Sequence, residues 1–177
     1  QEFQDSGVTL LGAIPLSAIQ LKFDQNRERL KADEKLSSKM LLLADTHPTD
    51  LSVEAIRSLR TSVHFNLLEA KSNVILVSSG GAQVGKSFVS ANLSTVLANS
   101  DQKVLLVDAD LRRGYLHKIF SIELGLGLSN FLQGSVAGEN VIKKTNIANL
   151  DFVARGGIPL NPSELLMNVK LKSFLDQ

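Results

Sequence analysis

Apolar residues in this chain come in short runs set off by polar, glycine-bearing stretches, and the spacing of each run predicts the element it forms. Val8 to Ile14 reads as a short strand ended by Pro15, and the charge-mixed stretch Lys22 to Lys39 reads as a solvated helix or loop. Between residues 51 and 70, Ile56, Leu59, Val63, Leu67 and Leu68 recur near one face at helical spacing and predict an amphipathic helix. Val74 to Val77 is an apolar run that predicts a strand over 74–78. A glycine-rich loop follows, then a helix to about Asn99 whose Val89, Leu93, Val96 and Leu97 suit packing on a sheet. Lys103 to Asp108 predicts the next strand. Two short apolar runs joined by a helix of this length imply a βαβ crossover and a parallel sheet buried on both faces. Beyond it the pattern predicts short helices at Leu116 to Phe120 and Leu128 to Leu132, separated by Gly125 and Gly127. A strand at Leu150 to Ala154, a turn at Gly156 to Pro159 and a helix over Ser163 to Leu175, capped by Ser163 with Pro162 ahead of it, complete the reading. The fold class is α/β, a parallel sheet flanked by helices, in one structural domain; residues 1–50 lead into a core over 51–177.

Composition changes this picture little. A chain of 177 residues, 44% hydrophobic and 21% charged, has the apolar content of a globular α/β domain and excludes wholesale disorder. The formal charge of +1 provides no global field toward nucleic acid or lipid. The absence of cysteine excludes disulfides, thiolate catalysis and cysteine-ligated metals, and His47, His64 and His117 show no metal-ligand spacing. Apolar runs such as Met40 to Ala44 fall far short of the roughly 18 residues that a membrane span requires, and no signal peptide is expected at the N-terminus.

Chemistry is concentrated in two places. Gly80-Gly81-Ala82-Gln83-Val84-Gly85-Lys86-Ser87 fills every fixed position of the G-x-x-x-x-G-K-[ST] phosphate-binding pattern, directly after the run at 74–77 and directly before Phe88 and the helix it opens. In such a loop, backbone N–H groups converge on an anion and the helix adds the positive end of its dipole. Lys86 then reaches the β- and γ-phosphates, and the Ser87 hydroxyl is placed to ligate Mg²⁺. A plain Gly-Gly turn is the alternative, and the strand-loop-helix context argues against it.

The second place is Asp108-Ala109-Asp110, at the end of the strand that follows. Ligands bind beyond the carboxyl ends of strands in open parallel sheets, so both carboxylates are expected at the edge that carries the glycine-rich loop. There they are candidates to hold Mg²⁺ and orient a nucleophile, against the alternative that they only cap the next helix. Arg112, Arg113 and Tyr115, the single tyrosine, follow; solvation for the arginines and packing for the tyrosine are their default readings.

Together these segments, with Gly-Leu-Ser-Asn-Phe-Leu-Gln-Gly at 127–134 and Asn-Pro-Ser-Glu-Leu-Leu at 161–166, resemble the cytoplasmic domain of bacterial tyrosine kinases, the Wzc-like proteins of capsule and exopolysaccharide export. The resemblance runs from about Val8 to Asp176. It implies a P-loop fold that transfers the γ-phosphoryl of ATP, with Mg²⁺, to tyrosine. It makes Gly80 to Ser87 the Walker A loop, with Phe88 completing the nucleotide contacts, Lys86, Asp108 and Asp110 the catalytic residues, Ser87 and Asp108 the metal ligands, and Asp110 the candidate base. Glu54, Arg57 and Arg60 match the E-x-x-R-x-x-R helix through which subunits pack into a homo-oligomeric ring, and Tyr115 matches an internal phosphorylatable tyrosine. Tyrosine-rich tails of neighbouring subunits, a cognate phosphotyrosine phosphatase and attachment to the bacterial inner membrane through a preceding segment are further implications. Three departures stand out. Gly81 occupies the place where partitioning ATPases carry a second lysine, Ala82 stands where the family often has proline, and the Walker B strand and tyrosine-rich tail are expected beyond Gln177. On this reading residues 1–177 alone are expected to bind nucleotide weakly and turn over little. An ATPase acting as an assembly switch without kinase activity is the alternative.

Overall fold

Helix α4, Lys86–Ala98, is the element around which the others are arranged. The computed structural model describes residues 9–29 and 41–176. In chain order these form α1 (Ala18–Arg29), α2 (Leu43–Thr46), α3 (Leu51–Leu68), α4, β1 (Val104–Val107), α5 (Leu116–Ile119) and α6 (Leu128–Leu132). A 3₁₀ turn at Gly138–Val141, β2 (Ile142–Lys144), β3 (Leu150–Val153), α7 (Pro162–Leu166) and α8 (Val169–Leu175) follow.

The sheet has the order β1-β3-β2. β1 and β3 run parallel with Val104 opposite Leu150 and Val107 opposite Val153, while β2 pairs antiparallel with β3. The alternation of strand side chains sorts the core into layers. Phe152 and Leu150 face α4, where they pack with Ala91, Ala98, Leu116 and Phe120. Val153 faces the opposite way, into Leu111 after β1, Leu128 and Leu132 of α6, Val141 of the 3₁₀ turn and Phe174 of α8. On its other side α4 presents Leu93 and Val96 to Val53 and Ile56 of α3 and to Leu43 and Ala44 of α2. One helix therefore separates two cores, which is why Ala91 to Val96 are all buried, the polar Asn92, Ser94 and Thr95 included. Each polar group has an acceptor: Ser94 and Thr95 hydroxyls donate to the Ala91 carbonyl, and Asn92 Nδ2 donates to the Phe88 carbonyl.

Helices α3 and α4, strands β1 and β3, and the short helices at 116 and 128 form where the pattern places them. On α3, Ile56 and Val63 lie on the buried face, whereas Leu68 is 68% exposed and points away from it. Four expectations fail. Residues 9–14 form no strand, and Val8 lies outside the described residues; an apolar run without a neighbour in register makes no ladder, and Ile14 is instead used against the α2–α4 core. The polar stretch from Lys22 is not one of them: its residues to Arg29 continue helix α1, in keeping with the helix-or-loop reading, and Leu30 to Lys39 lie outside the described residues. Residues 74–78 have no strand pairing and leave Val74, Ile75 and Leu76 exposed; β1 pairs with β3 on one edge, and its other edge has no strand partner among the described residues. The sheet is accordingly mixed, with an antiparallel edge and Leu105 41% exposed, not wholly parallel and buried on both faces. Finally, the helix expected over 163–175 is two helices. Pro162 sits in the first turn of α7, and Asn168 interrupts the run by accepting from the Lys170 amide as the N-cap of α8.

Candidate nucleotide site

The glycine-rich loop leads into α4 through Gly85, whose φ of 95° is the left-handed conformation glycine adopts at no steric cost. Gln83, at φ 60°, takes the same conformation without that freedom, so the curl of the loop rests on residues 83 and 85 and not on Gly80 and Gly81. Gly80, Gly81, Ala82, Gln83 and Val84 are exposed; Ser87 and Phe88 are half-buried in the first turn of α4. Lys86 turns back over the loop. Its Nζ donates to Ser79 Oγ at 2.9 Å and to the Gly81 carbonyl at 2.8 Å, and Ser79 Oγ donates to the same carbonyl at 2.7 Å. The ammonium is thereby held at the mouth of the loop, beside the N-terminus of a 13-residue helix, where an anion is favoured. Ser79 is a member of this group that sequence reasoning passed over.

The acidic motif emerges from β1. Asp108 is 3% exposed, its amide donates to the Val153 carbonyl of β3, and its carboxylate accepts from the Asp110 amide at 3.3 Å and the Leu116 amide at 3.1 Å. Burial pushes its carboxyl up to about 6; the two amides and the Arg155 guanidinium oppose that rise, and the Asp110 charge adds to it. Asp110 is exposed, and its Oδ1 accepts from the amides of Arg112 and Arg113. Asp110 shapes the loop, and Asp108 joins that loop to α5 by accepting the first amide of the helix. Gly114 closes the loop: a Cβ there would lie 2.5 and 2.6 Å from the two Asp108 carboxylate oxygens, so only glycine fits. Tyr115, 41% exposed, is the next residue, placing the tyrosine on the loop that the acidic pair folds.

The structure brings Asp108, Asp110 and Tyr115 together, and separately Lys86 with the loop glycines. Among the described residues no hydrogen bond joins the two groups. Glu54, Arg57 and Arg60 lie apart from both, on α3: Glu54 pairs with Arg57 on an exposed face, and Arg60 donates to Ser100 Oγ beyond the end of α4. Arg112 reaches Ser163 Oγ at 3.4 Å. Arg155, which sequence reasoning missed, follows β3 and donates from Nε to the Gly114 carbonyl at 3.0 Å. Its signal was available, since a cation just after an apolar strand lies at the edge where a parallel sheet binds ligands.

Comparison with known proteins places this geometry in a family. A solved BceF tyrosine kinase domain is 39% identical, superposes with a TM-score of 0.89, and aligns with 99% of this chain and 68% of its own. The chain belongs to the bacterial tyrosine kinase domains. The kinase domain of the Escherichia coli tyrosine kinase ETK is similar as well, at 38% identity and a TM-score of 0.85, over 99% of this chain and 67% of that one. Among curated relatives, a putative tyrosine-protein kinase in the cps region of Klebsiella pneumoniae is 40% identical over 99% of this chain and 24% of its own length. The tyrosine-protein kinase ptk of Acinetobacter johnsonii is 45% identical over 81% of this chain and 20% of its own. The chain spans about a quarter of the length of most of the curated relatives it matches. The family described as ParA, NUBPL iron-transfer P-loop NTPase, matches residues 70–149, the segment that holds both the phosphate loop and the acidic loop. A tyrosine kinase domain of this kind is a P-loop α/β fold that binds nucleotide, and no helix among the described residues is long and apolar enough to cross a membrane.

Proposed function

We propose that this chain is the ATP-dependent catalytic region of a protein-tyrosine autokinase that regulates the polymerisation and export of a capsular polysaccharide or exopolysaccharide. The observation that carries the proposal is the position of Tyr115: the amide of its neighbour Leu116 is hydrogen-bonded to the buried carboxylate of Asp108. A tyrosine and an acidic pair on one loop, within a fold that also builds a phosphate loop, fit phosphoryl transfer to tyrosine better than hydrolysis alone.

Gly80 to Ser87, with Phe88 behind them, bind the nucleotide phosphates, and Lys86 leaves Ser79 and the Gly81 carbonyl to meet the β- and γ-phosphates. Magnesium suits the remaining donors. Ser87 offers a hydroxyl and Asp108 a carboxylate, the one or two protein oxygens that this ion takes when phosphates supply the rest of its shell; bound there, it would neutralise charge on the transferring group. Asp108 is held by the Asp110 and Leu116 amides in a fixed orientation, and Asp110, exposed beside it, accepts the proton of the incoming tyrosine hydroxyl. The tyrosine oxygen forms the new bond to the γ-phosphorus as the bond to the β-phosphate oxygen breaks, and ADP leaves. Tyr115 is an internal acceptor, and tyrosines in tails of neighbouring subunits are the others.

Residues 1–50 lead into this core over 51–177. Glu54, Arg57 and Arg60 pack one subunit on the next in a ring; the exposure of Glu54 and Arg57 leaves them available for it. A preceding segment tethers the domain to the cytoplasmic face of the inner membrane, and a phosphotyrosine phosphatase reverses the modification. The test is transfer of label from γ-labelled ATP in a protein that carries this domain together with the flanking segments found in its longer relatives, with the acceptor mapped by phosphopeptide mass spectrometry. Lys86→Met abolishes phosphotyrosine, Tyr115 included. Phosphotyrosine at the parental level in that variant would refute the proposal.

A further inference from the structure

One motif read from the sequence has no part in the chemistry above: Gly127-Leu128-Ser129-Asn130, at the start of α6. In the structure this corner grips the backbone that leaves β3. The Leu128 amide donates to the Ala154 carbonyl at 2.8 Å, the Ser129 amide to the Arg155 carbonyl at 2.9 Å, and the Ser129 hydroxyl to the Gly157 carbonyl at 2.7 Å. Asn130 Oδ1 accepts from the Gly127 amide at 3.1 Å, which folds the corner on itself.

The approach is closer than side chains permit. A Cβ on Gly127 would overlap the Ala154 carbonyl, and one on Gly156, at φ 81°, would stand 2.5 Å from both Asn130 Oδ1 and Ser129 Oγ. Residues 154–157 therefore cannot shift relative to α6 without breaking the corner. From the middle of this fixed segment Arg155 extends, Nε to the Gly114 carbonyl at 3.0 Å and Nη1 to the Gly156 carbonyl at 2.9 Å. Gly114 in turn lies over the Asp108 carboxylate, and its amide donates to the Asp110 carbonyl at 2.8 Å. The contacts form a continuous series: corner, gripped strand end, guanidinium, glycine, carboxylate.

We infer that the Gly127–Asn130 corner, acting through Arg155, is a positioning element that sets the acidic loop, and with it Asp108, for metal-nucleotide binding. Arg155 suits the task because a planar fork can join two carbonyls from separate segments, which an ammonium on a flexible stem does poorly. Two of its nitrogens are already spent on backbone carbonyls, so it acts through the loop. The inference rests on the proposed role of Asp108 and concerns a different set of residues.

The test uses the full chain and a fluorescent ADP analogue, titrated with Mg²⁺ and with EDTA, alongside hydrogen exchange of the Gly114 and Leu116 amides. In Arg155→Ala and Gly127→Ala the gain in affinity from Mg²⁺ falls about tenfold, the usual effect of losing a group that orients a metal ligand. Metal-free affinity stays within about twofold, because the phosphate loop is untouched. The Gly114 and Leu116 amides exchange about tenfold faster while those of β1 keep their rates. An unchanged magnesium gain with unchanged Leu116 exchange in Arg155→Ala overturns the inference. So does a parallel loss of metal-free affinity and β1 protection, which would make Arg155 a support of the fold as a whole. Asp108→Asn is the control on the underlying reading: it removes the magnesium gain, and retention of that gain there would overturn the metal role of Asp108 and the inference with it.

Discussion

Two aspartates give this domain opposite responses to acid. Asp108, buried and raised from an ordinary 3.8 to about 6, holds its proton more tightly folded than unfolded. Its contribution is therefore complete below pH ~4 and is lost as pH rises through ~6. A tenfold tighter hold on a proton corresponds to about 1.4 kcal/mol. Asp108→Asn keeps an acceptor for the Leu116 and Asp110 amides without the buried charge, so at pH 7 the variant should be more stable than the parent by roughly 1–3 kcal/mol, and near pH 4 equal to it. Urea denaturation at the two pH values reads this directly. An Asn variant less stable than the parent at pH 7 would contradict the assignment. Asp50 behaves conversely. Its carboxylate accepts from Ser52 and, at 2.8 Å, from the Ser17 hydroxyl; these bonds, Ser52 first, hold its carboxyl below 3.8 despite some burial. The stability it brings is present above that pH and lost as pH falls below it.

At the scale of elements, Asp50 joins two that are distant in sequence. It caps α3, and through the buried Ser17 it fastens the arm that carries residues 9–17. Asp50→Ala should cost about 1–2 kcal/mol, the range of a lost N-cap, and should expose the arm to limited proteolysis before α3 itself melts. Digestion in which the arm and α3 are cut together would argue that the two are not separately fastened. The same scale shows what could be read from sequence. Helices α3 and α4 were legible because an apolar stripe that recurs at helical spacing over several turns fits neither a strand nor a loop. Residues 74–78 were not, because a strand is a property of a pair, and composition cannot say whether a partner lies beside it. Asn168 went unread as a cap because it interrupts an apolar pattern that continues on both sides. In the site, the phosphate loop and the acidic pair are contiguous motifs and could be seen; Arg155 and Gly114 are 41 residues apart and are brought together only by the parallel pairing of β1 with β3.

For the molecule as a whole, the three residues of the proposed ring contact divide. Glu54 and Arg57 form an exposed pair worth little to stability, whereas Arg60 reaches across to Ser100 and ties α3 to the turn after α4. Arg57→Ala should reduce oligomer size at unchanged melting temperature, measured by light scattering and calorimetry. Arg60→Ala should do so while also lowering stability by about 1 kcal/mol. Oligomer size equal to the parent's in both variants would remove α3 from the assembly. Phe152, fully buried between the sheet and α4, marks the centre of the fold, and Phe152→Ala should cost about 3–5 kcal/mol by chemical denaturation. A loss below about 1 kcal/mol would show that this core is not the one on which folding depends.

Asn92 sits midway along α4, and its Oδ1 accepts the amide of Ala44 at 2.8 Å. The helix that starts at the phosphate loop thus holds the amide proton of a segment more than forty residues earlier in the chain. Nucleotide that steadies α4 from its first turn is therefore expected to be read at the Ala44 amide. Its exchange should slow when the loop is filled, reporting the bound state from a position that no dye or mutation at the loop would disturb.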